Sequence, residues 1–169
     1  MFSSLRSRIM GSSLLVLALL FGAVGCADGA GSTFRTMTVT GQLVSSDRRL
    51  TQVGPDNRSV FGWNLLVASS GVGGATQIEM LGNVDYTNGS GDFFGFVTFT
   101  FADGSKLATR MTAGKAKTGT ANATFTSPLS VIGGTGSYTN ARGYGRFTGE
   151  RKDQLGGQVE AHFDLKVTT

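Results

Sequence analysis

The amino-acid sequence predicts an all-β fold, and three observations carry that expectation. Glycine is abundant and proline scarce, 26 against 2 in 169 residues, which suits short strands joined by tight turns rather than helices. Charged residues make up only 15%, below the ~25% of an average soluble domain. Thr, Ser and Asn fill the deficit. From Thr33 onward apolar side chains recur at period two, and no stretch holds a convincing helical period.

The elements follow in chain order. Phe34–Val44 sets Met37, Val39 and Leu43 on one face. Ser59–Ala68 groups Phe61, Trp63, Leu65 and Val67. Thr76–Thr87 alternates Ile78, Met80, Gly82, Val84 and Tyr86 with Gln77, Glu79, Leu81, Asn83 and Asp85. Asn88-Gly89-Ser90-Gly91 and Asp103-Gly104 are hairpin signals, so this strand, Asp92–Ala102 and Lys106–Ala113 form a meander. Thr120–Ile132 and Tyr144–Arg151 follow. Gln158–Thr168 has the clearest alternation, with Val159, Ala161, Phe163, Leu165 and Val167 opposite Gln158, Glu160, His162, Asp164 and Lys166. About eight antiparallel strands at this spacing predict a closed barrel, with a two-sheet β-sandwich as the alternative.

One strand departs from simple alternation. Val97, Phe99 and Phe101 share one face, and Phe94 and Phe96 occupy the other. A strand apolar on both faces expects cover on both. In a one-layer barrel the outer cover is either a second subunit or a packed loop or chain end.

Residues 1–25 read as a signal peptide: Arg6 and Arg8 precede an apolar core, Leu14–Phe21, and Ala23-Val24-Gly25 supply small residues for cleavage. The only cysteine, Cys26, follows directly. Small residues before a lone Cys resemble a bacterial lipobox, in which the Cys becomes the lipidated first residue; plain secretion is the alternative. Residues 26–32 are then a tether and 33–169 a single domain, exported to the cell envelope and touching membrane only through its anchor. With residues 1–25 removed, 13 Lys+Arg face 11 Asp+Glu, a net charge of +2. No basic cluster remains that could neutralise a run of phosphates, so nucleic acid is not an expected partner.

One His and one Cys exclude the usual metal centres and His-dependent triads, and no cofactor is expected. Gly133-Gly134-Thr135-Gly136 and Gly71-Val72-Gly73-Gly74 lack the following helix and Lys of a phosphate loop. They read as bends that need glycine. The sequons at Asn57, Asn88 and Asn122 read as turns.

Leu129-Ser130-Val131-Ile132-Gly133-Gly134-Thr135-Gly136-Ser137-Tyr138-Thr139-Asn140-Ala141-Arg142-Gly143-Tyr144 resembles the signature of dirigent proteins, a V-V-G-G-T-G run, an aromatic two residues on, then A-R-G-Y. It is similar, more distantly, to the allene oxide cyclase barrel. The Asp47–Pro55 stretch is weakly similar to the turn before the second strand in that family. The resemblance implies an eight-stranded calycin-like barrel with an apolar lumen, a trimeric assembly, and cofactor-free steering of a reactive intermediate's cyclisation or isomerisation. Gly133, Gly134, Thr135, Gly136, Arg142 and Gly143 are its signature-loop positions. Ser127 stands where the family generally carries Arg, and Gly119–Phe125 lacks its acidic residue.

The expected function is therefore binding of a small hydrophobic molecule in the lumen. Phe61, Trp63, Tyr86, Phe99 and Phe101 are the lining candidates, with Tyr86 also able to donate a hydrogen bond. The competing class is a non-catalytic envelope protein whose barrel is filled by its own side chains. One prediction concerns the anchor. Cys26→Ser should move the protein from the membrane to the soluble fraction, because each buried acyl CH₂ contributes ~0.8 kcal/mol to membrane binding. Equal fractionation of wild type and variant would refute lipidation.

Overall fold

The computed structural model describes residues 33–71, 73–119, 122–152 and 157–169. The signal peptide, Cys26 and the tether lie outside the described residues. Eight antiparallel strands form one closed ring in chain order: β1 (Arg35–Val53), β2 (Ser59–Ala68), β3 (Ala75–Thr87), β4 (Ser90–Phe101), β5 (Lys106–Thr118), β6 (Ala123–Thr135), β7 (Arg142–Arg151) and β8 (Val159–Thr168). The ring decides for the barrel over the sandwich.

Strand β1 is longer than its alternation suggests, for a physical reason. Its first half, Arg35–Leu43, pairs with β8 and its second half, Val44–Val53, with β2. The register shifts between Ser45 and Asp47, and such a bulge bends the strand and sharpens its twist. The polar run Ser45–Arg49, which shows no alternation in sequence, is therefore strand. Strand β6 likewise runs on through Gly133 and Gly134 to Thr135, and only Gly136–Tyr138 forms a short 3₁₀ turn.

The inward side chains fill the ring with phenylalanine. Phe125, Phe93, Phe147, Phe163 and Phe99 form a continuous column, with Phe93 edge-on to Phe125 and Phe147, Phe147 stacked on Phe163 at 5.1 Å, and Phe163 edge-on to Phe99 at 5.1 Å. Such contacts add ~0.5–1.5 kcal/mol each beyond area burial. Glycines make room for the column. A Cβ at Gly114 would lie 2.4 Å from the Phe93 ring, and one at Gly149 would lie 2.8 Å from the Phe147 ring. The space these two glycines create is taken by rings.

The β2–β3, β4–β5 and β6–β7 connections share one end of the barrel, and this end is stitched shut. Asp103 accepts hydrogen bonds from the Ser105 amide (2.9 Å) and hydroxyl (2.6 Å) and from the Ser137 hydroxyl (3.2 Å). Phe101 packs on Tyr138 at 4.8 Å between ring centroids. Two signature glycines are fixed by this geometry. Gly136 takes φ +58, and a Cβ at Gly134 would sit 2.0 Å from the Lys106 carbonyl oxygen and 2.8 Å from the Tyr138 Cβ. Gly134→Val should cost about 1–3 kcal/mol through backbone displacement. Chemical unfolding checks this, and an unchanged midpoint would show that the close approach is not a constraint.

Candidate functional site

The other end of the barrel, where the β1–β2, β3–β4, β5–β6 and β7–β8 connections lie, holds a pocket that enters the ring. Among the described residues it is lined by Leu50 of β1, Asn64 and Leu66 of β2, Met80, Gly82, Val84 and Tyr86 of β3, Phe93 of β4, Met111 of β5, Phe125 of β6, Phe147 and Arg151 of β7, and Gly157 and Val159. Phe125, Phe93 and Phe147 belong to the phenylalanine column, so the column forms one side of it. The wall is apolar, and three polar groups converge on it: the Tyr86 phenol, the Arg151 guanidinium and the Asn64 amide.

Both charged-type groups are held inside by the strands that carry them. Tyr86 stands one turn from the β3–β4 hairpin on the inward face and keeps 5% of its surface exposed, and Arg151 closes β7 and keeps 8%. The Arg151 guanidinium lies over the Phe125 ring at 5.4 Å, a cation–π arrangement. Burial pushes the Tyr86 phenol well above its usual range, and the Arg151 charge opposes that only in part. Burial also pulls Arg151 below its usual range, with Tyr86 working the other way. At neutral pH the pocket therefore presents a protonated phenol and a cation. Asn64 accepts a 2.6 Å hydrogen bond from the Ser45 hydroxyl, which fixes it beside the bulge of β1.

The cavity is small. Its volume is about 60 Å³, room for roughly two waters at ~30 Å³ each and well short of the ~300 Å³ of ordinary ligand pockets. Two of its walls are methionines, whose unbranched chains repack easily. A larger hollow of about 940 Å³ lies elsewhere, on the outer polar face of β1, β6, β7 and β8 beside Thr40, Gln42, Thr126, Thr148, Glu160 and His162. It has no buried convergent group. His162 there contacts Asp164 at 3.1 Å in solvent, and no group of three or more metal-ligating side chains occurs among the described residues.

Of the aromatics that the sequence nominates for the lumen, the structure brings only Tyr86 to this pocket. Phe61 and Trp63 are corrected: they lie on the outer face of β2, with Phe61 52% exposed, while Leu66, Ala68 and Asn64 point inward. All of β2 is apolar or small except Asn64, so its alternation does not reveal the inward side. Phe99 is fully buried in the column, and Phe101 packs on Tyr138 at the stitched end. The signature residues Gly133, Gly134, Thr135, Gly136, Arg142 and Gly143 also gather at that end, with Thr135 opposite Lys106 and Arg142 opposite Thr168. Sequence reading missed Arg151 and Asn64. Arg151 is one half of an Arg-Lys pair that reads as a solvated loop end, and only its place in the inward series Gly145, Phe147, Gly149 points to burial. Ser127, buried at the position opposite Phe147, has a side chain small enough to leave the ring its space.

No family model and no curated protein matches this chain. Among solved structures, the chain is similar to the pterocarpan synthase dirigent protein, with a TM-score of 0.43 and 15% sequence identity over 80% of this chain and 85% of that one.

The buried phenol gives a pH prediction. A folded pKa raised above the unfolded value contributes stability that is complete below the usual 10.0 and is lost as pH rises through the folded value. Ultraviolet titration should therefore show that Tyr86 ionises only with alkaline unfolding, a step that Tyr86→Phe removes. A Tyr86 phenol that ionises near pH 10 in the folded protein would contradict the burial.

Proposed function

We propose that this protein is an exported, lipid-anchored barrel that binds a small, mostly apolar molecule at its open end. The observation that supports this reading is the convergence of Tyr86 and Arg151 on a pocket otherwise walled by Leu66, Met80, Val84, Met111 and Phe125. An apolar body would lie between the methionines and the phenylalanine rings, and one oxygen would accept from the phenol or the guanidinium. Because the cavity is small, binding requires Met80 or Met111 to swing aside, and the phenylalanine column bounds the ligand on the other side. The chemistry available is positioning. Among the described lining residues there is no carboxylate and no imidazole, so proton abstraction has no obvious agent. Holding one folded conformer of a flexible molecule away from water is what such a site can contribute to a cyclisation or isomerisation.

The competing reading, a side-chain-filled barrel that acts as an envelope interaction protein, is favoured by the continuous phenylalanine column. One experiment separates the two. The full chain is titrated with phenol and with toluene while the methyl resonances of Met80 and Met111 are followed. The binding reading expects both ligands to shift these methyls. Tyr86→Phe should weaken phenol about fivefold, the loss of one hydrogen bond of ~1 kcal/mol, and leave toluene unchanged. Methyls indifferent to millimolar amounts of either ligand would refute the pocket and leave the filled barrel.

A further inference from the structure

The two ends of the barrel differ in charge as well as in closure. At the stitched end, the last three residues of each strand and the loops between them carry four basic side chains among the described residues. These are Arg35, Lys106, Arg142 and Lys166, against one acidic side chain, Asp103. All four are exposed, and none forms an ion pair among the described residues. At the pocket end the same positions carry four basic side chains against five acidic ones, Asp56, Asp85, Asp92, Glu150 and Glu160. There Arg58 pairs with Asp56 and Lys152 with Glu160. The barrel is thus polarised along its axis, with its unpaired cations at the closed end.

Apolar side chains accompany those cations. Phe34, Ile132 and Tyr144 are 47%, 54% and 53% exposed on the same rim. The Phe34 and Tyr144 rings meet edge to face at 5.8 Å, and the Lys166 ammonium lies 6.0 Å from the centre of the Tyr144 ring. Aromatic rings beside long cations, whose stems bury while their charges stay wet, suit an anionic bilayer surface. The placement favours a flat partner too. The cations come from β1, β5, β7 and β8, spread round the ring, and only a plane lying across the end meets all of them together. The chain also enters the barrel here. Seven residues lead from Cys26 to Thr33, a reach of at most ~25 Å, so an acyl group on Cys26 would hold this end next to the bilayer.

We propose that the barrel stands end-on on an anionic bilayer, seated by Phe34, Ile132, Tyr144 and the four cations, with the Tyr86 pocket turned to the aqueous side. The tether rests on the lipid-anchor reading; the contact rests on the charge and rings of the rim itself. The test mixes the full chain, as cells deliver it, with brominated phosphatidylcholine vesicles that contain about 30% phosphatidylglycerol. Two fluorophores are compared: the single native Trp63, on the outer face of β2, and Phe34→Trp in a Trp63→Phe background. Bromine should quench the second and spare the first. About 1 M salt, where the Debye length falls to ~3 Å, should relieve the quenching. Arg142→Gln with Lys166→Gln should lower the ratio of seated to lifted barrels about thirtyfold, at roughly fivefold per cation. Lys117→Gln with Lys152→Gln, at the other end, should leave that ratio unchanged. Quenching of Trp63, an unquenched Phe34→Trp chain, or equal loss from both pairs of substitutions would overturn the end-on seat. Cys26→Ser keeps the two readings apart. If it changes neither fractionation nor quenching, the anchor fails and the seat stands. If it solubilises the protein while Phe34→Trp stays unquenched on vesicles, the seat fails and the anchor stands.

Discussion

Closure of the ring is the constraint on which everything else depends, and β1 is where it is met. A single strand serves two neighbours, β8 along its first half and β2 along its second, and it changes partner between Leu43 and Val44, just before the bulge between Ser45 and Asp47. Without the β1–β8 pairing the eight-stranded sheet would remain open, with two unpaired edges. The bend also sets the pocket. Ser45 sits at the bulge and holds Asn64 by its amide oxygen, and Leu50, a few residues further on, forms part of the pocket wall.

Closure fixes the interior diameter, and the side chains then decide what the interior is for. An eight-stranded ring is just wide enough to be filled or to hold one small ligand. In this barrel the two outcomes stand side by side. From Phe99 up to Phe125 the rings stack into a solid column, made room for by Gly114 and Gly149. Beside these rings the inward residues change character, to the methionines Met80 and Met111 and, toward the β3–β4 hairpin, a phenol and a guanidinium. A buried cation and phenol contribute less to folding than aliphatic side chains of similar size would. Their presence toward one end of the barrel marks that end as distinct from the rest of the core.

The strand order and the all-β class were legible in the sequence because alternation and turn residues are local signals. β8, with Val159 to Val167 on one side, shows this at its clearest. The inward face was legible only where the two faces differ in polarity. On β3 and β8 they do, and Tyr86 falls on the inside as its neighbours Ile78 and Met80 suggest. On β2 both faces are apolar, and Phe61 and Trp63 look like core although the register of β1 and β3 turns them outward. Arg151 escaped notice for the converse reason. Its burial depends on the diameter of the ring and on Phe125 across the β6–β7 seam, neither of which is a property of its own segment.

The meander has a further consequence, for the order in which the molecule is assembled. Seven of the eight strand pairings join neighbours in the chain, so each can form as soon as its hairpin has been made. The eighth joins β1 to β8, and the Thr38 hydroxyl and the Asp164 carboxylate that it brings to 2.8 Å are 126 residues apart. Loop-closure entropy rises with that separation, and contacts of such long range form late. Strand β1 must therefore wait for β8, the barrel strand farthest from it along the chain. Until β8 arrives, the first half of β1 presents a bare edge, and the phenylalanine column lacks Phe163, the ring that links Phe147 to Phe99. Strand β8 thus completes the wall and the core in one step, which ties the permanence of the barrel to Val159–Thr168.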